Sequence, residues 1–111
     1  AVLEGAPASE VATVVEAACA GLVAAGADVV GSNCGHGIAA MVEVAREFAR
    51  HSAVPVAIQS NAGLPEHRGG ELLYPESPEL MAAHVPELLA LGIRIIGGCC
   101  GASPEHIRAI R

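Results

Sequence analysis

Three short apolar runs alternate with helical patterns along the 111 residues, and this alternation constrains the possible folds more than any other feature. The runs cover residues 28–31, 54–58 and 93–96, and segments with helical spacing of apolar residues flank each of them. The order α-β-α-β-α-β-α predicts an α/β fold with a short parallel sheet, because parallel strands need crossover connections, and these are right-handed.

The helical segments carry start and stop signals. Ser9 is the predicted cap of the first helix and Gly26 its stop. The caps Ser77 and Ser103, each followed by proline, begin the third and last helices, and Pro86 predicts a kink or a restart within the third. The expected buried faces are Val11, Val14, Val15, Ala18 and Leu22 in the first helix, and Ile38, Met41, Ala45 and Phe48 in the second.

The residues between these elements are expected to be loops. Residues 1–8 are interpreted as a connector, residues 32–37 as a glycine-rich loop, and residues 59–75 as a loop longer than is typical between a strand and a helix. The glycine-rich loop ends the first strand at the position of Cys34.

Composition excludes several classes of function. The net charge is -6 with no basic run, so a nucleic-acid partner is not expected. No apolar run is long enough to span a bilayer, and the first residues lack a secretory pattern. Four cysteines in a composition that is 52% hydrophobic are typical of a globular α/β protein rather than of a disulfide scaffold. We therefore expect one domain in the reducing cytoplasm.

Residues 97–101 read Gly-Gly-Cys-Cys-Gly and stand between the third predicted strand and the last helix. Cys34 follows the first strand in the same way. Because parallel strands end at the same edge of a sheet, we expect Cys34, Cys99 and Cys100 to converge there, with the glycines allowing the turns that bring the thiols inward. Three thiolates at one point are typical of a Zn²⁺ site with one coordination position open.

A site of this kind has a definite chemistry. Three thiolates on Zn²⁺ leave a net charge of about −1. A fourth, incoming thiol can then lose its proton to the metal and remain a reactive thiolate at neutral pH, as a methyl acceptor must.

Other interpretations of the same residues stay open at this point. Cys19 lies near the apolar face of the first helix and is interpreted as a core residue. A disulfide between the adjacent Cys99 and Cys100 would be strained. His36 is an alternative ligand or a loop residue facing solvent, and His106 is expected to be packed or hydrogen-bonded locally. The glycines before the last helix would also suit a phosphate-binding α/β protein.

Four segments carry a resemblance to a known family: residues 30–34 (Val-Gly-Ser-Asn-Cys), 61–65 (Asn-Ala-Gly-Leu-Pro), 96–101 (Ile-Gly-Gly-Cys-Cys-Gly) and 103–107 (Ser-Pro-Glu-His-Ile). In order and spacing they resemble the C-terminal part of the homocysteine S-methyltransferase family. The resemblance covers nearly all of the chain. It implies the last three strands of a (β/α)8 TIM barrel, about a third of that barrel, with residues 1–111 forming a partial homocysteine-binding domain.

The resemblance also implies an activity. Cys34, Cys99 and Cys100 resemble the zinc ligands of the family, with no further catalytic residue, and the sulfur of homocysteine or a similar thiol would take the fourth position and attack a methyl group. The product would be methionine or another S-methyl thioether. Asn33 and Asn61 flank the site and either orient its ligands or shape the loops. Corrinoid, betaine-type and S-methylmethionine-type methyl donors all remain open, and a corrinoid would come from a partner or another domain.

Two further hypotheses concern the chain as a piece. Without the earlier strands of the family's barrel, it would be a zinc-holding module that does not catalyse methyl transfer. A sheet of so few strands also has two unpaired edges and is expected to expose a Val/Ile face. We therefore predict self-association of the chain, or pairing with the remainder of a barrel.

Overall fold

The computed structural model describes residues 7–111, so most of the predicted connector lies outside the described residues. The helices are α1 (Ala8–Ala24), α2 (Ile38–His51), α3 (Pro78–Ala83), α4 (Val85–Ala90) and α5 (Pro104–Ile110). The strands are β1 (Val30–Cys34), β2 (Val56–Ser60), β3 (Glu66–Arg68), β4 (Glu71–Leu73) and β5 (Ile95–Gly98).

The main sheet has three strands in the order β1-β2-β5, and both pairings are parallel. The register places Cys34 beside Ser60 and Ser60 beside Gly98. This arrangement confirms the predicted α/β class and its short parallel sheet. None of the helices between residues 7 and 111 combines the length and the apolar character that a membrane span requires.

The strands run further toward their carboxyl ends than predicted. β1 includes residues 32–34, which were expected to be a loop, and β2 and β5 each begin and end two residues later than expected. Backbone pairing explains the difference, since the ladder continues through Gly, Ser and Asn residues that have little strand preference of their own. The predicted long loop also contains the antiparallel hairpin of β3 and β4.

The helix predictions are largely confirmed. Ser77 caps α3 by accepting a hydrogen bond from the Leu80 backbone N–H, and the third predicted helix restarts as α4, with Pro86 in its first turn. The cap assigned to Ser9 is wrong, because α1 begins at Ala8 after Pro7, which has the non-helical backbone of an N-cap. No side chain caps α1, so its sequence contains no capping residue that marks where the helix begins.

The core lies between the sheet and the helices packed on it. The four predicted residues of α2 are all buried, and Cys19 of α1 is buried as a core residue at 1% exposure. Leu22, predicted to be buried, is 48% exposed, and Val23 packs against the core in its place. On the sheet, Val30, Val56 and Ile58 belong to this core.

Candidate metal centre

Cys34 is the last residue of β1, and its backbone sets the position of the site. Its φ of 69° is left-handed, which is unusual for a residue other than glycine. This conformation interrupts the alternation of the strand, and the Cys34 Sγ lies 3.4 Å from Nδ2 of the preceding Asn33. The chain then turns through Gly35 into the start of α2.

Cys99 and Cys100 follow β5 at the same edge of the sheet. The Cys99 N–H donates a 2.7 Å hydrogen bond to the Ser60 carbonyl oxygen at the end of β2. Gly101 makes the next turn with a φ of +78°, and a Cβ there would overlap the ring of Tyr74, which arrives from the hairpin. Both the backbone conformation and the close approach of the ring therefore require glycine at position 101.

The three thiols converge as the sequence predicts. The Sγ atoms of Cys34 and Cys99 are 3.1 Å apart, those of Cys99 and Cys100 are 3.9 Å apart, and all three lie within 4.8 Å of one another. Tetrahedral zinc with Zn–S bonds of about 2.3 Å separates its ligand sulfurs by about 3.8 Å. The donor set and its spacing therefore fit a thiophilic metal, and the role of these residues as ligands stays a prediction.

Other candidates lie apart from this cluster or are otherwise engaged. Among residues 7–111, His36 does not belong to the group of side chains gathered at this point. All four cysteines are free thiols, so Cys99 and Cys100 form no disulfide with each other. His106 is buried and forms a capping box with Ser103 at the start of α5.

The contact between Cys34 and Cys99 shifts the pKa values of these two thiols in opposite directions. The contact with Cys99 and, second, burial raise the pKa of Cys34 to about 11. Hydrogen bonds from Cys34 and Asn33 lower the pKa of Cys99 to about 7. The Nδ2 of Asn33 lies 3.6 Å from the Cys99 Sγ, so this amide faces both sulfurs. Near neutral pH the pair therefore holds one proton on Cys34, while Cys99 carries thiolate character.

Asn61 joins the two cysteine-bearing loops. Its Nδ2 donates to the Gly35 carbonyl at 2.9 Å, and its Oδ1 accepts from the Cys100 N–H at 3.0 Å. The next residue, Ala62, donates its N–H to the Cys100 carbonyl at 3.0 Å. Because Asn61 is only 8% exposed, losing these bonds would leave buried polar groups unpaired.

Sequence reasoning missed two residues near the site. Glu76 accepts a 3.0 Å hydrogen bond from the Ile38 N–H at the start of α2, and Tyr74 packs on Gly101. One signal could have indicated such a residue: Gly37 occupies the N-cap of α2 and has no side chain, so another part of the chain must cap this helix. No comparable signal marked Tyr74.

Fold and site together define an α/β protein with a three-thiol cluster at the carboxyl edge of its parallel sheet. A family profile described as "Homocysteine S-methyltransferase" matches residues 3–111. The chain belongs to the homocysteine S-methyltransferase family.

Its relatives include the methionine synthase of Mycobacterium leprae, 37% identical over 97 residues that make up 86% of this chain and 8% of that protein. The methionine synthase of Mycobacterium tuberculosis is 40% identical over 86 residues, 77% of this chain and 7% of that protein. The chain thus spans less than a tenth of the length of these relatives.

A solved structure shows the same fold. The homocysteine methyltransferase MmuM from Escherichia coli, in its metallated form, matches with a TM-score of 0.65 at 21% sequence identity. The match covers 86% of this chain and 28% of that one.

Proposed function

We propose that this chain is the metal-bearing part of a homocysteine-binding domain, and that Cys34, Cys99 and Cys100 hold Zn²⁺ there. The observation that carries the proposal is the convergence of three thiol sulfurs within 4.8 Å at one sheet edge. Bound zinc would supply a Lewis acid that keeps a substrate thiol deprotonated at neutral pH. The substrate would be homocysteine or a similar thiol, which accepts a methyl group to give methionine or another thioether.

The residues around the cluster support this chemistry by orientation rather than by proton transfer. Asn33 directs its amide N–H groups at two of the sulfurs, which stabilises thiolate charge. Asn61 fixes the distance between the two loops that carry the thiols. These contacts make both asparagines positioning residues in the proposed site.

The proposal is tested by the zinc content of the reduced chain. Elemental analysis is expected to find about one zinc per chain in the wild type, with loss in Cys99→Ser. Cys19→Ala is the matched control, because Cys19 is buried in α1 and takes no part in the cluster. Retention of zinc by Cys99→Ser would contradict the proposed ligand set. In the longer parent protein, Cys34→Ser is expected to abolish both zinc binding and methyl transfer.

A second candidate is a zinc-holding piece that does not catalyse the reaction. The observation that favours it is that this chain matches only 28% of the structurally similar methyltransferase. In this candidate, the groups that bind the amino acid lie outside the present chain. Assaying the isolated, zinc-loaded chain with homocysteine and each class of methyl donor separates the two candidates. Methyl transfer by the isolated chain would exclude the second candidate. We propose that the chain requires the remainder of a barrel for activity.

A further inference from the structure

Glu76 contacts the loop that follows β2 and the first turns of the two helices, α2 and α5, that follow the cysteine-bearing loops. It lies in the segment between β4 and α3, half-buried, and far in sequence from every cysteine. We infer that Glu76 is a positioning residue, which holds the loop of Cys34 and the loop of Cys99 and Cys100 at the separation the cluster needs.

The first contact reaches the Cys34 side. The Glu76 Oε2 accepts a 3.0 Å hydrogen bond from the Ile38 N–H, across 38 positions of sequence. α2 has no side-chain cap of its own and no acidic residue in its first turn. Glu76 therefore supplies both the missing cap and the negative charge that favours a helix N-terminus. A Cβ at Gly37 would overlap its carboxylate, so the loop after Cys34 lies directly against this side chain.

The second contact reaches the loop that follows the central strand, β2. The Glu76 N–H donates a 2.9 Å hydrogen bond to the Ala62 carbonyl, and the Ala62 N–H donates to the Cys100 carbonyl at 3.0 Å. Two backbone hydrogen bonds thus connect Glu76 to the second of the paired cysteines, through the residue that follows Asn61.

The third contact comes from α5, which begins just after the paired cysteines. The Glu76 carbonyl lies 2.7 Å from Nε2 of His106. The other ring nitrogen, Nδ1, is 3.1 Å from the Ser103 N–H, which can only donate. Nδ1 is therefore the acceptor, and Nε2 carries the proton that it donates to the Glu76 carbonyl. His106 is 7% exposed, which protects this bond from competition with water.

The side chain and the main chain of Glu76 act on different loops. Its backbone N–H and carbonyl hold the Cys100 side, and any residue other than proline at position 76 can retain these bonds. Of the groups on Glu76, only the carboxylate contacts the Cys34 side, which Asn61 also holds through Gly35. Substitution of the side chain should therefore loosen the turn between Cys34 and α2 and shift Cys34 relative to Cys99, whose sulfurs are 3.1 Å apart, while the other hydrogen bonds remain.

The test compares Glu76→Ala and Glu76→Gln with the wild type and with Glu79→Ala, an exposed acidic residue in the first turn of α3. The first readout is Co²⁺ affinity together with the thiolate-to-cobalt absorption band. The second, which needs no metal, is the rate at which diamide joins Cys34 to Cys99, mapped by mass spectrometry of digests. Diamide takes up the two electrons and two protons that the two thiols release as the disulfide forms.

Glu76→Ala is expected to weaken Co²⁺ binding about 10-fold, to alter the absorption band and to slow formation of the Cys34–Cys99 disulfide. Glu76→Gln keeps an oxygen that can accept from Ile38 and should stay near the wild type, as should Glu79→Ala. A merely structural role would lower the unfolding midpoint of Glu76→Ala while leaving the band and the disulfide rate unchanged.

Wild-type values of both readouts in Glu76→Ala would overturn the inference. If Glu76→Ala does not fold, Glu76→Asp decides in its place, because the shorter carboxylate keeps the charge but withdraws from Ile38, and wild-type values there overturn the inference equally. The cobalt readout rests on the proposed metal centre. Absence of Co²⁺ binding in the wild type would contradict that centre, while the disulfide rate still decides the role of Glu76.

Discussion

Cys34 is held in a left-handed backbone conformation with a φ of 69°, which costs a residue other than glycine about 1–2 kcal/mol. Such strain persists where surrounding contacts determine the conformation. Here the Cys34 carbonyl accepts from the Asn61 N–H at 3.3 Å, and the Asn61 side chain holds Gly35 on the other side of the turn. The left-handed conformation directs the Cys34 sulfur toward Cys99.

The proton balance of this pair predicts how zinc affinity depends on pH. At neutral pH zinc must displace the proton of Cys34, whose pKa is raised to about 11. Below the Cys99 pKa of about 7, the proton of Cys99 must be displaced as well. Zinc affinity should therefore rise with pH, and the slope of log K against pH should be steeper by about one below pH 7. Competition with a chromophoric chelator measures this, and a constant slope would contradict the assignment.

Gly101→Ala is expected to destabilise the chain by about 2–4 kcal/mol, because the new Cβ meets both a positive φ and the Tyr74 ring. Gly69→Ala is the matched control, since Gly69 also has a positive φ but no atom lies within 4 Å of a Cβ built there. The control should lose only about 1 kcal/mol. Urea unfolding of both variants provides the comparison, and equal losses would show that the ring contact does not matter.

At the scale of elements, the ends of the strands decide where the thiols lie. β1, β2 and β5 all end at the same edge of the sheet. Cys34 pairs with Ser60 and Ser60 with Gly98, so the last residues of the three strands lie side by side. The Cys99 N–H then continues the ladder to the Ser60 carbonyl. The cysteine loops are thus extensions of the sheet, which limits their freedom before any metal binds.

Helix α3 offers a test of a predicted cap. Ser77 accepts from the Leu80 N–H at 3.1 Å, so Ser77→Ala should lower the free energy of unfolding by about 1 kcal/mol. Ser9→Ala is the control, because Ser9 lies within α1 and no side-chain cap hydrogen bond is formed there. Denaturant unfolding should show a loss for the first variant and little change for the second. A similar loss in both would refute the capping role.

At the scale of the whole molecule, one face of the sheet packs on the helices, and among residues 7–111 no element covers the other face. Strand alternation places Gly31, Asn33, Ala57, Gln59 and Ile95 on the open face, given that Val30, Val56 and Ile58 are buried in the core. The expected Val/Ile surface is small: within residues 7–111, Ile95 of this face is 46% exposed, and Val29, just before β1, is 42% exposed. Small and polar residues surround Ile95.

In the part of the chain that the structure describes, the outer edges of β1 and β5 have no pairing strand, which still predicts self-association of the isolated chain. Ile95→Lys would place a charge on an edge strand and on the open face together, and should shift the chain toward monomer in sedimentation velocity. Leu89→Lys is the control, since Leu89 is 59% exposed on α4, away from the sheet. A wild-type chain that stays monomeric at high concentration would contradict the prediction.

The sequence by itself determined the order of the helices and of the three main-sheet strands, the starts of α3 and α5 at Ser77 and Ser103, and the gathering of the three cysteines at one edge. These follow from local capping, from apolar periodicity and from the rule that parallel strands end together. Only the tertiary structure decided where the strands end, the left-handed turn at Cys34, and the contacts of Asn61 and Glu76. The side-chain hydrogen bonds of Asn61 and Glu76 join residues 26 to 39 positions apart, so no local pattern of residues encodes them and only the packed chain brings them together.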